Sequence, residues 1–265
     1  MKITLDSGHY GKYNQGIIKS YYESEFNWKM TNYMKKYLEE YGFHVELTRT
    51  ILNKDLDLFT RGKISKGSNI FISIHSNACN SETVDYPVVI RGHNQPSTDK
   101  LALSIAELIS TIMGTKQKGR TYTKTNSKGT EYYGVLRGAE SVGVKYRYIV
   151  EHSFHTNKNA CSFLLEDENI KRLAKAESEL IALYFGYKRL EENIKNEKTF
   201  LIRVKVDNLN VRKVNDWNYP ACMTVNKNEV FTVIDTVEAK NGNTKMYKLK
   251  SGLYITTSSK YVELI

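Results

Sequence analysis

Residues 70–77 read Ile-Phe-Ile-Ser-Ile-His-Ser-Asn. Four of the first five are large and apolar, and three polar side chains come directly after. A short apolar run of this kind reads as a buried strand. Two further runs repeat the pattern. Ile3-Thr4-Leu5 leads into Asp6-Ser7-Gly8-His9, and Tyr148-Ile149-Val150 leads into Glu151-His152-Ser153-Phe154. Amphipathic stretches separate them. Glu25–Glu40 carries Phe26, Met30, Tyr33, Met34, Tyr37 and Leu38 at helical spacing, and Gly42 closes it. Helices are also expected over Leu56–Lys66, through Leu101, Ile105, Leu108 and Ile112 with a cap from Ser97, Thr98 or Asp99, and from Ile170 to Gly186. Strands are expected at Lys2–Leu5, Phe43–Thr48, Ile70–Ile74, Tyr86–Arg91, Tyr133–Leu136 and Tyr146–Val150. This alternation predicts an α/β domain over residues 1–186, a twisted, mostly parallel sheet flanked by helices.

The pattern then changes. Residues 187–199 are polar and charged and read as a linker. Residues 200–265 hold short period-two runs, Leu201–Val206, Val230–Asp235 and Tyr247–Leu249, punctuated by Asn241-Gly242-Asn243 and Ser251-Gly252. They predict a small all-β barrel. The chain's 265 residues accommodate two such unequal domains. At 40% hydrophobic and 26% charged residues, a fully disordered or fibrous chain is excluded. No apolar run reaches about 18 residues, so no membrane insertion is expected. The N-terminus lacks the apolar core of a secretory signal. The chain is therefore expected to be made in the cytoplasm and to leave, if it does, without a cleaved signal. A net charge of +10 favours a polyanionic partner, with nucleic acid, a wall polymer and a membrane surface all open on charge alone. The acid-free stretch 114–130, with Lys116, Lys118, Arg120, Lys124 and Lys128, is either a solvated loop or a basic rim that guides such a polymer. Cys79, Cys161 and Cys222 form no Cys-x-x-Cys pair and read as buried thiols. No residue pattern specifies an oligomeric state.

The chemistry lies in the polar residues just beyond the three apolar runs. Ligands of open α/β sheets bind beyond the carboxyl ends of the strands. His9, His75 and Glu151 are all placed there. A catalytic zinc takes three protein ligands and keeps a position for water, and two histidines with a glutamate are one such set. Glu23 and Glu25, ahead of the first helix, compete with Glu151 for the carboxylate place. Both roles, ligand and general base, require a carboxylate, and composition does not assign them.

Asp6-Ser7-Gly8-His9, Glu23-x-x-x-Asn27, Ser73-Ile74-His75-Ser76-Asn77 and Val150-Glu151-x-x-Phe154-x-x-Asn157 together resemble the zinc-dependent N-acetylmuramoyl-L-alanine amidases, which act as bacterial autolysins and phage endolysins. Four motifs in order and at the right separations make the resemblance specific. It covers about residues 1–186, and Arg49 and Arg61 also stand where that family commonly has arginine. The resemblance implies Zn2+ held by His9, Glu23 and His75, with Glu151 as the catalytic carboxylate. It implies peptidoglycan as the partner, with anionic wall polymers a further one and nucleic acid none. The implied reaction is hydrolysis of the amide between N-acetylmuramic acid and L-alanine. Two positions depart from the pattern: Ser7 replaces a proline and Ser153 a glycine. Leu209-Asn210-Val211-Arg212-Lys213, Glu229–Val233 and Lys260-Tyr261-Val262 resemble a bacterial SH3-like cell-wall-binding module, although Tyr254 stands where a tryptophan is often found.

The expectation is thus a peptidoglycan amidase, made in the cytoplasm, that acts on the wall after release, as a phage endolysin lysing a Gram-positive host does. A host autolysin or spore-wall amidase would read the same way. A zinc peptidase of the stem peptide would carry a tighter ligand pair than His9 and Glu23. A non-catalytic binding protein would have no use for Glu151. His44 is expected on the surface, His93 in a loop, and His152 and His155 beside the site. Tyr132 and Tyr133 are candidates for stacking on sugar.

Overall fold

Side chains alternate faces along a strand, and that alternation builds the N-terminal unit. β1 (Lys2–Ser7), β2 (His44–Leu47), β3 (Ile70–Asn77), β4 (Val88–Arg91), β5 (Arg120–Tyr122) and β6 (Tyr146–Phe154) form one sheet in the order β2-β1-β3-β6-β4-β5. Every neighbouring pair is parallel except β4 with β6. Ile3, Leu5, Ile70, Ile72, Ile74, Tyr148 and Val150 face one core. Phe71, Val88, Ile90 and Ile149 face a second, smaller core on the opposite side. The computed structural model describes residues 1–189, 199–241 and 244–265. The chain forms two compact units, Met1–Arg189 and Leu190–Ile265.

The larger core is covered by α1 (Glu23–Glu40), α3 (Asp99–Met113), α5 (Lys158–Leu165) and α6 (Asp167–Tyr184). Their apolar stripes, such as Phe26, Met30, Met34 and Leu38 on α1, are fully buried. The smaller core is covered by α4 (Gly134–Ser141), on which α2 (Leu58–Ile64) packs. These two helices meet backbone to backbone. A Cβ on Gly62 would lie 2.0 Å from the Val135 carbonyl, and one on Gly138 would lie 2.1 Å from that of Phe59. The mostly parallel sheet flanked by helices is the architecture that the alternation predicts.

Several local expectations are corrected. Tyr133–Leu136 is not a strand: Gly134–Leu136 opens α4, and Tyr133 is its N-cap. A four-residue apolar run carries too little length to fix a period, and the spacing of Gly134 and Gly138 on one helical face is the feature that matters. α1 starts at Glu23, so Glu23 and Glu25 lie in its first turn rather than before it. His75 and Glu151 lie inside β3 and β6 rather than past their ends. α5 has no clear signal in the sequence. The basic stretch contains β5, an ordered edge strand paired with β4. Cys161 is buried, but Cys79 is half-buried and Cys222 is exposed.

The C-terminal unit is all-β. β7 (Phe200–Val204), β10 (Val230–Glu238), β11 (Lys245–Leu249), β12 (Tyr254–Thr256) and β13 (Val262–Leu264) form an antiparallel sheet in the order β12-β11-β10-β7-β13. β8 (Leu209–Val211) and β9 (Met223–Val225) pair as a second ribbon. Ile202, Val204, Val211, Val225, Val233, Leu249, Ile255 and Val262 close a core of their own. The segment 187–199, expected as a linker, lies largely outside the described residues, as do Gly242 and Asn243 of one expected turn.

Candidate active site

Register decides which side chains meet. Asp6 on β1 pairs with Ser73 on β3, and His75 on β3 pairs with Glu151 on β6. Ser73 and His75 follow Phe71 at two-residue steps, as Glu151 follows Ile149, so the face of the smaller core turns polar at the carboxyl ends of the strands. Parallel sheets bind ligands at this end.

Asp6 is buried and accepts from Thr48 Oγ1 at 2.6 Å and from Ser73 Oγ at 2.7 Å. Ser73 has one hydroxyl hydrogen, and Asp6 takes it. The His75 Nε2 atom, 3.1 Å from Ser73 Oγ, must therefore be the donor of that pair. His75 Nδ1 is then left facing Glu23 Oε1 at 2.8 Å. Two lone pairs cannot meet at that distance; a cation must lie between them. In the metal-free protein a proton does so. Burial lowers the His75 pKa, but the bond to Glu23 and the charges of Glu23, Glu151 and Asp6 outweigh it and raise the value to about 9. A metal ion can replace that proton, and the outer hydrogen bond from Nε2 is the support that metal-bound imidazoles commonly receive.

Glu23 is buried in the first turn of α1. Its Oε1 accepts from the Ser76 backbone N–H at 3.2 Å, and its Oε2 accepts from Asn14 Nδ2 at 2.6 Å. Burial pushes its pKa up, but bonds to His75 and His9 hold it well below the usual carboxylate range. His9 Nε2 lies 3.3 Å from Glu23 Oε2. The His9 backbone is left-handed at φ 57, and its ring stacks on Tyr13 at 4.6 Å and meets the His75 ring edge-on at 5.0 Å. Ligand atoms of His9, Glu23 and His75 all lie within 4.8 Å of one another. The two-imidazole, one-carboxylate set fits a zinc-type ion. Gly8 lets the rings converge: a Cβ there would fall 2.3 Å from His75 Cε1.

Glu151 sits one strand away. Its Oε2 is buried and has no hydrogen-bond partner. Burial raises its pKa to about 7, with Glu23's charge adding and His75's opposing. A buried, unpaired carboxylate oxygen is costly unless it serves a ligand. His9 and His75 also line a cleft of about 360 Å³ with Tyr10, Tyr13, Leu58 and Val135.

A metal-competent triad one strand from an unpaired carboxylate is an arrangement able to activate water, and the sequence settles the family. Residues 3–182 match the N-acetylmuramoyl-L-alanine amidase family. The chain belongs to that family. It is a peptidoglycan amidase. It is 29% identical, over 98% of its length and 97% of the relative's, to the endolysin of Bacillus phage SPP1. The catalytic domain of the amidase CwlV from Bacillus (Paenibacillus) polymyxa superposes with a TM-score of 0.60 at 21% identity, covering 71% of this chain and 99% of that one. CwlD from Clostridioides difficile, solved with the GerS lipoprotein, gives 0.59 at 20% identity, covering 69% and 98%.

In this amidase the remaining candidates separate clearly. His152 is buried, with Nε2 on Glu177 Oε1 at 2.9 Å and Nδ1 on the His75 carbonyl at 3.0 Å. Burial lowers its pKa, but Glu177 raises it above the ordinary value. It braces the His75 backbone. His155 is also buried, with Nδ1 2.9 Å from Ser76 Oγ, and burial lowers its pKa. His44 is exposed, and His93 sits in a turn beside Glu131. Cys79 Sγ turns to the Ser81 carbonyl. Arg61 and Arg49 are buried. Arg61 Nη1 lies 3.7 Å from Asp6, and Arg49 donates to the Ser7 hydroxyl and carbonyl, so the serine that replaces proline has a partner. Sequence reasoning missed Tyr13, Asn14 and Glu177. No periodicity marks the segment after His9. The one available signal is Asn14 itself, a residue type tolerant of the left-handed backbone it adopts at φ 53.

Proposed function

We propose that this chain is a zinc-dependent N-acetylmuramoyl-L-alanine amidase of the endolysin type, with Zn2+ held by His9, Glu23 and His75 and with Glu151 as the catalytic carboxylate. The observation that carries this reading is the His75 Nδ1–Glu23 Oε1 approach of 2.8 Å, which requires a cation, with His9 completing the triad. Bound zinc supplies a Lewis acid for the scissile carbonyl and acidifies water. Glu151 takes a proton from the attacking water at its unpaired Oε2 and delivers it to the departing nitrogen of L-alanine. Its raised pKa suits both halves of that transfer. Asn14, Ser73 and the Ser76 backbone hold the ligand side chains in place and need not touch substrate.

The endolysin assignment rests on the SPP1 relative, whose likeness runs through both units instead of the catalytic one alone. The C-terminal residues 200–265 then serve as an SH3-like wall-binding domain, joined by the linker 187–199, and the positive charge favours anionic wall polymers over a neutral surface. The protein acts at the wall after release from the cytoplasm. Among the described residues no helix is long and apolar enough to cross a membrane.

The test is digestion of purified peptidoglycan by zinc-loaded protein, with mass spectrometry of the soluble products. Free stem peptides beginning with L-alanine, beside glycans that have lost them, are expected. Cuts inside the peptide or between sugars would overturn the bond assignment.

A further inference from the structure

The row of paired residues that contains the site runs on to the free edge of the sheet. His75 pairs with Glu151, Glu151 with Val88, and Val88 with Arg120. Paired residues project to the same face, so Arg120 shares the face of Glu151, two strands away, or about 10 Å at the usual strand spacing. Its guanidinium lies over the Tyr86 ring at 4.2 Å, and Tyr86 in turn packs edge-on against Phe154 at 5.1 Å. Among the described residues no carboxylate pairs with Arg120, although it is exposed and free to choose one.

Tyrosines fill the interval. Tyr122, two residues along β5, shares a hydroxyl–hydroxyl bond of 3.1 Å with Tyr133 at the N-cap of α4. Burial raises the Tyr133 pKa first, then Tyr122, with the charge of Glu151 adding. Tyr132 stands edge-on to Tyr133 at 5.0 Å, with Lys124 Nζ 3.9 Å from its ring centre.

The strand that carries this cation is also held in position. Buried Asp85 accepts from the Lys116 backbone N–H at 3.2 Å and from Ser153 Oγ on β6 at 2.8 Å. Its own N–H donates to the Gln117 side chain at 2.8 Å, and the Arg120 N–H donates to the Pro87 carbonyl at 3.0 Å. Gly119 packs so closely on α3 that a Cβ would lie 2.2 Å from the Ala106 carbonyl. The basic strand is thus tied to the strand that carries Glu151.

We propose that Arg120, seated on Tyr86 at the end of the His75–Glu151–Val88 row, binds a free carboxylate carried by the residue that comes after L-alanine in the stem peptide. The proposal rests on the amidase reading. An extended peptide covers about 7 Å in two residues, so a chain that leaves the scissile bond along this row brings a carboxylate on its second residue within reach of the guanidinium. Arginine is the residue suited to two-pronged carboxylate recognition.

The experiment uses two soluble muropeptides that differ only in whether a carboxyl on that residue is free or amidated. Wild type, Arg120→Gln, Arg120→Lys and the control Lys128→Gln, at the tip of the same basic stretch, are assayed for kcat and KM. Arg120→Gln is expected to raise KM for the free acid about tenfold, with kcat little changed and the amidated substrate scarcely affected. Arg120→Lys should recover part of the loss, and Lys128→Gln should change nothing. Equal effects of Arg120→Gln on both substrates, or a matching effect of Lys128→Gln, would overturn the subsite. Failure of wild type to cut either substrate at L-alanine would overturn the amidase reading and the subsite with it.

Discussion

At the scale of single residues, the site is a problem in proton placement. Asp6 orients Ser73, Ser73 orients His75, and His75 presents Nδ1 to Glu23. Each step comes from counting hydrogens. Because the folded His75 pKa is raised to about 9 from an unfolded 6.5, the metal-free protein holds a proton that the unfolded chain releases. That contribution to stability is fully present below pH 6.5 and is lost as pH rises towards 9. Glu151 acts in the same sense lower down: its raised pKa makes the folded state bind more protons than the unfolded one between about 4.5 and 7, so stability again falls as pH rises. Chelated protein should show a melting temperature that declines from pH 5 to 9, while zinc affinity climbs over the upper part of that range as the proton leaves the ligand. In His75→Ala the upper part of the decline and the bound zinc should both be lost, as melting curves and metal analysis would show. Unchanged metal content would remove His75 from the ligand set. Glu151→Gln should keep zinc and fold but lose about 10²–10⁴-fold in kcat, together with the acid limb of the pH–rate profile. Turnover near wild type would remove Glu151 from catalysis.

At the scale of elements, strand period and backbone approach decide what the sequence makes legible. The three apolar runs ending in polar residues are visible in one dimension, and so are the parallel sheet and the convergence of His9, His75 and Glu151. The strands' true ends are hidden, because His75 and Glu151 continue the β ladder after the apolar pattern has stopped. The outer contacts are hidden too: Asn14 reaches Glu23 from a segment with no period, and Asp85 reaches Ser153 from 68 residues away. Ser153 shows why its position commonly takes glycine. β6 has one extra residue between Glu151 and Phe154, and Ser153 adopts φ 58 there. Such a conformation costs a non-glycine residue about 1–2 kcal/mol. The bond from its hydroxyl to Asp85 offsets that cost. Ser153→Gly should therefore be close to neutral in stability, whereas Ser153→Ala keeps the strain, loses the bond and should cost about 1–3 kcal/mol. Urea denaturation of the pair decides it, and equal losses would sever the link between strain and Asp85. α4, read in one dimension as a strand, depends on the α2 contact. Gly138→Ala must push its Cβ out of the Phe59 carbonyl and should cost about 1–3 kcal/mol by the same measurement.

At the scale of the whole molecule, two units whose cores share no residue imply two separable tasks. Among the described residues, His9, Glu23, His75 and Glu151 all lie in Met1–Arg189. Under the proposed wall-binding role, the second unit adds residence on an insoluble polymer, which raises the local substrate concentration without altering the chemistry. Ending the chain at Arg189 should therefore leave hydrolysis of a soluble muropeptide close to that of the full chain. Clearing of intact walls should fall by about tenfold or more. The two substrates must be compared on one preparation, since a catalytic unit damaged by truncation would lose both activities together. Salt supplies the complementary lever. If positive charge contributes to wall residence, raising the ionic strength from about 0.1 M to about 0.5 M should weaken co-sedimentation of the full chain with walls, because exposed charges are screened within a few ångströms at the higher value. The soluble reaction, which proceeds in a partly buried cleft, should respond much less. Equal clearing of walls by both lengths of chain would leave the second unit without a binding role and shift the search for the wall anchor to the basic edge of the first.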